Sequence, residues 1–298
     1  MPAVPLPDPS LLAKLEAFRL AVKSVRWGSR LGGPFPINRR GFSGEFADYA
    51  AYSPGDDIRA IDWNLYGRTD RLFVKTYREE VELSVEILVD ATASMTLPSP
   101  LKFERAVQVG LCLAYVALAA HHQVRLSWMT SGRPRATRWF IRPAELPELL
   151  GTASGIVPGG MVELDVWVRQ ALATLHMRGG QCLLVSDGMI PAASFLRAMH
   201  QLLMQHLEVK VFQVLSPEEL HPSRWFRAGQ VVDSETGATH ELAYSTVELE
   251  QAVREHNEQL ARAGLRHGIP VVQHRLDESL EQFFLKTLPA RGFLEPVG

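Results

Sequence analysis

Asp90, Thr92 and Ser94 form a D-x-T-x-S series, one carboxylate followed at alternate positions by two hydroxyls. Alternate side chains of an extended or gently turning segment point the same way, so these oxygens can converge. An all-oxygen set of this kind suits a hard cation such as Mg²⁺, which prefers oxygen ligands and retains several waters. The same residues also fit a Ser/Thr-rich turn whose hydroxyls bond only nearby backbone. A second carboxylate stands in a similar setting at Asp187, within Ser186-Asp187-Gly188.

Both acids need a strand to hold them. Val85 to Val89 is apolar except for Glu86 and reads as a buried strand that stops at Asp90, and Gln181 to Ser186 reads as another that stops before Asp187. Strand signals recur at Val124 to Met129, Thr137 to Ile141, Val209 to Leu215 and Ile269 to His274. Helical signals alternate with them, at Phe103 to Ala120, around Ala144 to Leu150, over Met161 to Met177 and Ala192 to His206, from the Ser245-x-x-Glu248 box and from Asp277. This alternation predicts an α/β fold, a doubly wound, mainly parallel sheet of about six strands. Ligands of such sheets bind outside the carboxyl ends of the strands, where strand order reverses, and Asp90 and Asp187 are expected to end the two strands flanking that point.

The remaining chain is less regular. Leu11, Leu12, Leu15, Phe18 and Val22 are spaced as in an amphipathic helix over Leu11 to Val25, with Ser10 as its cap. Arg19, Lys23, Arg26, Arg30, Arg39 and Arg40 follow without an intervening acid, a basic loop suited to an anionic partner surface or to pairing with the chain's own acids. Asp56, Asp57 and Asp62 are interleaved with Arg59, Arg68 and Arg71, and the expectation is a structural ion-pair cluster rather than a catalytic or metal centre. Strands are expected at Leu72 to Tyr77 and Val81 to Val89, and a hairpin around Thr236-Gly237 in an insertion over 216–245. The insertion and the segment before Val81 are expected to pair as a small accessory β element. Residues 1–80 are grouped as helix, basic loop and accessory strands, and 81–298 as the main domain.

Composition narrows the function classes. With 31 basic and 33 acidic side chains in 298 residues, the net charge of -2 does not imply a nucleic-acid binder, local patches aside, and no aromatic stacking platform accompanies the basic loop. Cys112 and Cys182 lack metal-ligand spacing, which argues against zinc and fits buried thiols in a reducing compartment. The opening MPAVPLPDPS does not read as a secretory signal, and the apolar run Val107 to Ala120, about 14 residues, is too short to span a bilayer. A cytoplasmic, soluble protein is expected. His121-His122, at the end of an apolar helix, reads as a polar terminus rather than a ligand set.

The motifs DATAS, Gly159-Gly160 and SDG resemble the three loops of the metal-ion-dependent adhesion site of von Willebrand factor A domains. The chain as a whole is similar to a bacterial family of unknown function that contains a von Willebrand factor A-like domain and is commonly encoded beside MoxR-type AAA+ ATPases. EFADYAAYSPGDDIRAIDWNLYGR, DATASM, DSETG and HNEQLARAGLRHGIPVVQHRLDESLEQFF carry that similarity. The resemblance implies a non-enzymatic interaction module. It would act as accessory to a MoxR-type ATPase in protein maturation or remodelling, with Asp90, Thr92, Ser94 and Asp187 around a weakly held Mg²⁺ completed by an acidic partner residue.

Three positions depart from the pattern. Thr92 replaces a serine and keeps the hydroxyl, Met161 replaces the adhesion-site threonine and loses it, and Ala50 stands where an arginine is expected. The enzyme alternative is a phosphohydrolase of the haloacid-dehalogenase type, whose D-x-D-x-T carries a second acid where this chain has Thr92. Neither a phosphate-binding G-x-x-x-x-G-K-[ST], a dinucleotide G-x-G-x-x-G nor a G-x-S-x-G elbow is present.

Overall fold

The structure, a computed structural model, describes residues 5, 7–22, 45–53, 58, 61–78, 83–177, 179–222, 230–232, 239–241 and 246–297. The chain forms two compact units, Met1–Phe35 with Leu83–Gly298, and Pro36–Glu82. The amino-terminal helix, grouped in the sequence reading with residues 1–80, is thus part of the large unit.

In chain order the elements begin with α1 (Pro9–Leu15) and β1 (Phe18–Leu20). The small unit contributes β2 (Glu45–Ala51), α2 (Trp63–Thr69) and β3 (Phe73–Arg78). The large unit resumes with β4 (Ser84–Asp90), α3 (Leu101–Ala119), β5 (Gln123–Met129), β6 (Arg135–Ala136), α4 (Leu146–Ser154), α5 (Leu164–Leu175) and β7 (Gln181–Ser186). It continues through α6 (Ala192–Met204), β8 (Glu208–Leu215), α7 (Pro217–Leu220), β9 (Gln230–Val232), β10 (Thr239–Glu241), α8 (Thr246–Arg266) and β11 (Val271–Arg275). A short helical segment over 280–290 leads to β12 (Leu294–Pro296).

The central sheet has six strands in the order β11-β8-β7-β4-β5-β6, parallel except for β6. Strand order reverses between β4 and β7, so Asp90 and Asp187 end neighbouring strands at the switch point, as the sequence pattern predicts. Period-two alternation divides the strands between two cores. Val85, Ile87, Val89, Leu183 and Val185 face one core with α1, α3 and α4, whereas Leu88, Cys182, Leu184, Val209 and Val211 face the other with α5, α6 and Leu260 of α8. Helix α3 is apolar on nearly every face and is buried accordingly. It lies so close to β4 that a Cβ on Gly110 would come within 3.1 Å of the Val89 side chain. Both cysteines are free and buried, one in each core. Among the described residues no helix is long and apolar enough to cross a membrane.

Two sequence expectations are corrected. The helix predicted over Leu11 to Val25 ends at Leu15, and Phe18–Leu20 instead pairs antiparallel with Leu294–Pro296, burying Leu20. Pairing with the far end of the chain overrides the local helical spacing. The strand expected at Thr137 to Ile141 is replaced by β6 at Arg135–Ala136, with Phe140 in an isolated bridge to Val124. Among the described residues the accessory strands pair within their own segments, β2 with β3 and β9 with β10. Lys23, Arg26, Arg30, Arg39 and Arg40 of the basic loop lie outside the described residues, as do Asp56, Asp57, Arg59 and the Thr236-Gly237 turn.

In the small unit Asp62 caps α2. Its carboxylate accepts the backbone N–H of Asn64 (2.9 Å) and Leu65 (3.1 Å), and also the Tyr49 hydroxyl (3.0 Å). These amides have no helical partner of their own, so the cap satisfies donors that the helix start leaves open. Asp62→Ala is expected to cost about 1–2 kcal/mol locally, read as faster hydrogen exchange at Asn64 and Leu65.

On the α3 side of the sheet, His274 of β11 is fully buried and packs 4.4 Å from the Phe283 ring. Arg105 can only donate, so its 3.2 Å bond to Nε2 leaves that nitrogen unprotonated and places the proton on Nδ1, which faces Glu278. Burial first, and then the Arg105 charge, push the imidazole down to about 3. The unfolded chain therefore binds a proton at His274 below about 6.5 that the folded chain refuses, and stability falls as pH drops from there towards 3. His274→Gln is expected to flatten this part of the stability curve, measured as Tm against pH.

Candidate functional site

Strand β4 delivers Asp90 to the end of the sheet with only 2% of its surface exposed. Its Oδ1 accepts the Thr92 backbone N–H (3.0 Å) and the Thr92 hydroxyl (2.7 Å), while its Oδ2 accepts the Ser186 hydroxyl (2.7 Å). A single 3-10 turn, Ala93–Thr96, brings the Ser94 hydroxyl to 3.0 Å from that of Thr92. The three oxygens that the D-x-T-x-S spacing predicted to converge thus form one hydrogen-bonded chain.

The glycine loop closes over them. Gly159 N–H donates to the Ala91 carbonyl (2.8 Å), Ala93 N–H to the Gly160 carbonyl (3.0 Å), and the Thr130 hydroxyl to the Gly159 carbonyl (2.8 Å). Gly160 has φ +72°, and a Cβ there would lie 2.3 Å from the Ser131 hydroxyl oxygen, so this close approach admits only glycine. Met161 then turns outward, 55% exposed.

Asp187 meets a partner that the sequence reading missed. Its Oδ1 accepts the Met189 N–H (2.9 Å), and its Oδ2 accepts the ammonium of Lys102 (2.9 Å). The same ammonium donates to Glu219 Oε1 (2.6 Å), and Lys102 is 1% exposed. Glu219 is itself fixed by a capping box at α7, where its Oε2 accepts the Ser216 N–H and the Ser216 hydroxyl accepts the Glu219 N–H. One sequence signal pointed to Lys102. It shares the helical stripe of Ala106, Val109 and Leu113, all buried, and a lysine on a buried stripe needs an anionic partner.

Electrostatics follow this geometry. Burial first, then the nearby Asp187 charge, raise the Asp90 carboxyl to about 6 against the hydrogen bonds from Thr92 and Ser186. For Lys102, burial works against the charge, but the attraction of Asp187 and Glu219 outweighs it and the pKa is raised. Glu219 is raised by burial, with Lys102 opposing.

The oxygen set does not fit Mg²⁺ as placed. Both carboxylates have each oxygen occupied by a protein donor, Lys102 already holds a positive charge against Asp187, and Met161 offers a thioether where the resemblance expects a hydroxyl. Among the described residues no group of three or more His, Cys, Asp or Glu is placed to hold a metal ion.

Fold and site together define a doubly wound α/β domain with a buried carboxylate, hydroxyl and lysine cluster at its switch point. The chain belongs to the family described as Protein of unknown function DUF58, which matches residues 48–265. It is 26% identical over 285 residues to the uncharacterized proteins Rv1480 of Mycobacterium tuberculosis and Mb1516 of Mycobacterium bovis, covering 91% of this chain and 86% of each relative. Similar solved structures include the conserved hypothetical protein BatB of Bacteroides thetaiotaomicron (TM-score 0.41, 14% identity, 70% of this chain and 96% of that one). The SpRpn10 VWA domain gives a TM-score of 0.42 at 9% identity, over 70% of this chain and 96% of that one.

Gly160→Ala is expected to destabilise the closed loop by about 1–3 kcal/mol, since it forces a left-handed residue against Ser131. The check is a lowered Tm together with faster hydrogen exchange at Ala93.

Proposed function

We propose that this protein is a non-enzymatic interaction module, working in the cytoplasm as accessory to a MoxR-type AAA+ ATPase in protein maturation or remodelling. The observation that carries the interaction reading is an apolar rim on the loops at the carboxyl end of the sheet. Leu97 follows the Ala93–Thr96 turn, Val157 and Met161 flank the docked glycines, and Met189 follows Asp187, all of them exposed. Large apolar side chains gathered around a polar centre are the arrangement of a protein-binding patch, and methionine adapts its shape to a partner surface. The ATPase as partner is what the resemblance carried by EFADYAAYSPGDDIRAIDWNLYGR and HNEQLARAGLRHGIPVVQHRLDESLEQFF implies.

Turnover is disfavoured by the cluster itself. Thr92 stands where the haloacid-dehalogenase motif has its second acid, and its hydroxyl, which donates to Asp90, is too weak an acid to protonate a leaving group. Phosphatase activity towards p-nitrophenyl phosphate is accordingly expected to be absent.

Binding of the purified protein to the purified MoxR-type ATPase of the same organism, measured by surface plasmon resonance, tests the reading. The double substitution Val157→Glu, Met161→Glu is expected to weaken it by about tenfold or more, roughly 1.4 kcal/mol, with Tm unchanged. Unaltered affinity in the double variant would remove the rim from the interface.

A further inference from the structure

A divalent cation in an adhesion-type site balances the carboxylates at the switch point and offers a partner acid an open coordination position. In this crevice the chain itself already supplies a positive charge against the carboxylates. The Lys102 ammonium lies 2.9 Å from Asp187 Oδ2 and 2.6 Å from Glu219 Oε1, shielded from solvent. We propose that Lys102 is the resident counter-charge of this site, standing in for a divalent cation, and that the crevice works without metal.

Three features of the geometry carry this. Each Asp187 oxygen already accepts a protein donor, Lys102 on one and the Met189 N–H on the other, so a metal ion there shares its ligand with a donor, and on one side that donor is a full positive charge. Lys102 is also held from two directions. Asp187 follows β7, whereas Glu219 belongs to α7 after β8 and is fixed by its own capping box with Ser216. Finally, the loop that places Met161 beside the docked glycines contributes an apolar side chain turned outward, which is useful to a partner and useless to a hard cation. A doubly charged ion set beside a buried ammonium meets like-charge repulsion where little water screens it.

The consequence concerns recognition. Without a divalent ion there is no open coordination position for a partner carboxylate to complete. The polar centre then orders the loops, and the partner is held by the apolar rim. That last step rests on the interaction reading above, while the role of Lys102 does not.

Thermal denaturation and titration calorimetry of the full chain, with Mg²⁺ or Mn²⁺ against EDTA, test the role directly. The parent is expected to show the same Tm in both conditions and no saturable binding heat. Lys102→Met removes the charge and keeps the length, so the uncompensated Asp187 and Glu219 pair is expected to accept the ion, and the variant is expected to gain about 2–5 °C on its addition. Saturable metal binding by the parent overturns the proposal, and so does a folded Lys102→Met that ignores metal. Should Lys102→Met fail to fold, Glu219→Gln replaces it. This variant keeps Lys102 on Asp187 and is expected to ignore metal, so that a metal-dependent Tm there also overturns the proposal. None of these readouts involves the partner, so their failure leaves the rim experiment standing, and failure of the rim experiment leaves these.

Discussion

An ammonium removed from water is strongly destabilising unless anions replace its hydration, and the penalty is several kcal/mol per ion in real proteins. Lys102 is in that position, and the way its charge is satisfied governs how the carboxyl end of the sheet is assembled. Asp187 and Glu219 both turn towards it, and each is then anchored by a backbone N–H on its other oxygen. The start of α3, the end of β7 and the start of α7 are in this way tied at one point. Loss of either carboxylate removes one of the ammonium's two acceptors where water does not replace it, and loss of both leaves the buried charge uncompensated.

Around that ion network sits a second layer of hydrogen bonds. Asp90 takes three donors from Thr92 and Ser186, and the Gly159-Gly160 loop is stitched to Ala91, Ala93 and Thr130. These bonds tie Asp90 to the loops that surround it. Glycine at position 160 makes the stitching possible, since a side chain there would collide with Ser131. The result is a hydrogen-bonded polar centre with Leu97, Val157, Met161 and Met189 exposed on the loops around it, and under the proposed function those side chains make the contact. Apolar anchors around an ordered centre are also where binding energy concentrates in protein interfaces.

Much of this architecture was legible in the residues because it depends on short-range patterns. Val85 to Val89, apolar except for Glu86, and Gln181 to Ser186, apolar between its two ends, have the pattern of strands buried on both faces, and both are such strands. The alternation of strands with helices then sufficed to place Asp90 and Asp187 at adjacent strand ends, since parallel strands joined by helices have few allowed orders. By contrast, the spacing of Leu11, Leu15 and Phe18 suggested a longer helix than exists, because nothing local announces that Phe18–Leu20 will pair with Leu294–Pro296.

The sequence by itself therefore determined the class of fold, the two carboxylates at the switch point and the hydroxyls beside Asp90, all through spacing within a few residues. Tertiary structure decided what those groups do. Lys102 reaches acids 85 and 117 residues further along the chain, and Ser186 reaches Asp90 across 96. Separations of that size leave no periodicity to read, and a carboxylate looks the same in sequence whether it will face a metal ion or a lysine. Only the packing of α3 against the sheet brings the ammonium to Asp187, and burial there, by excluding water, makes the pairing obligatory.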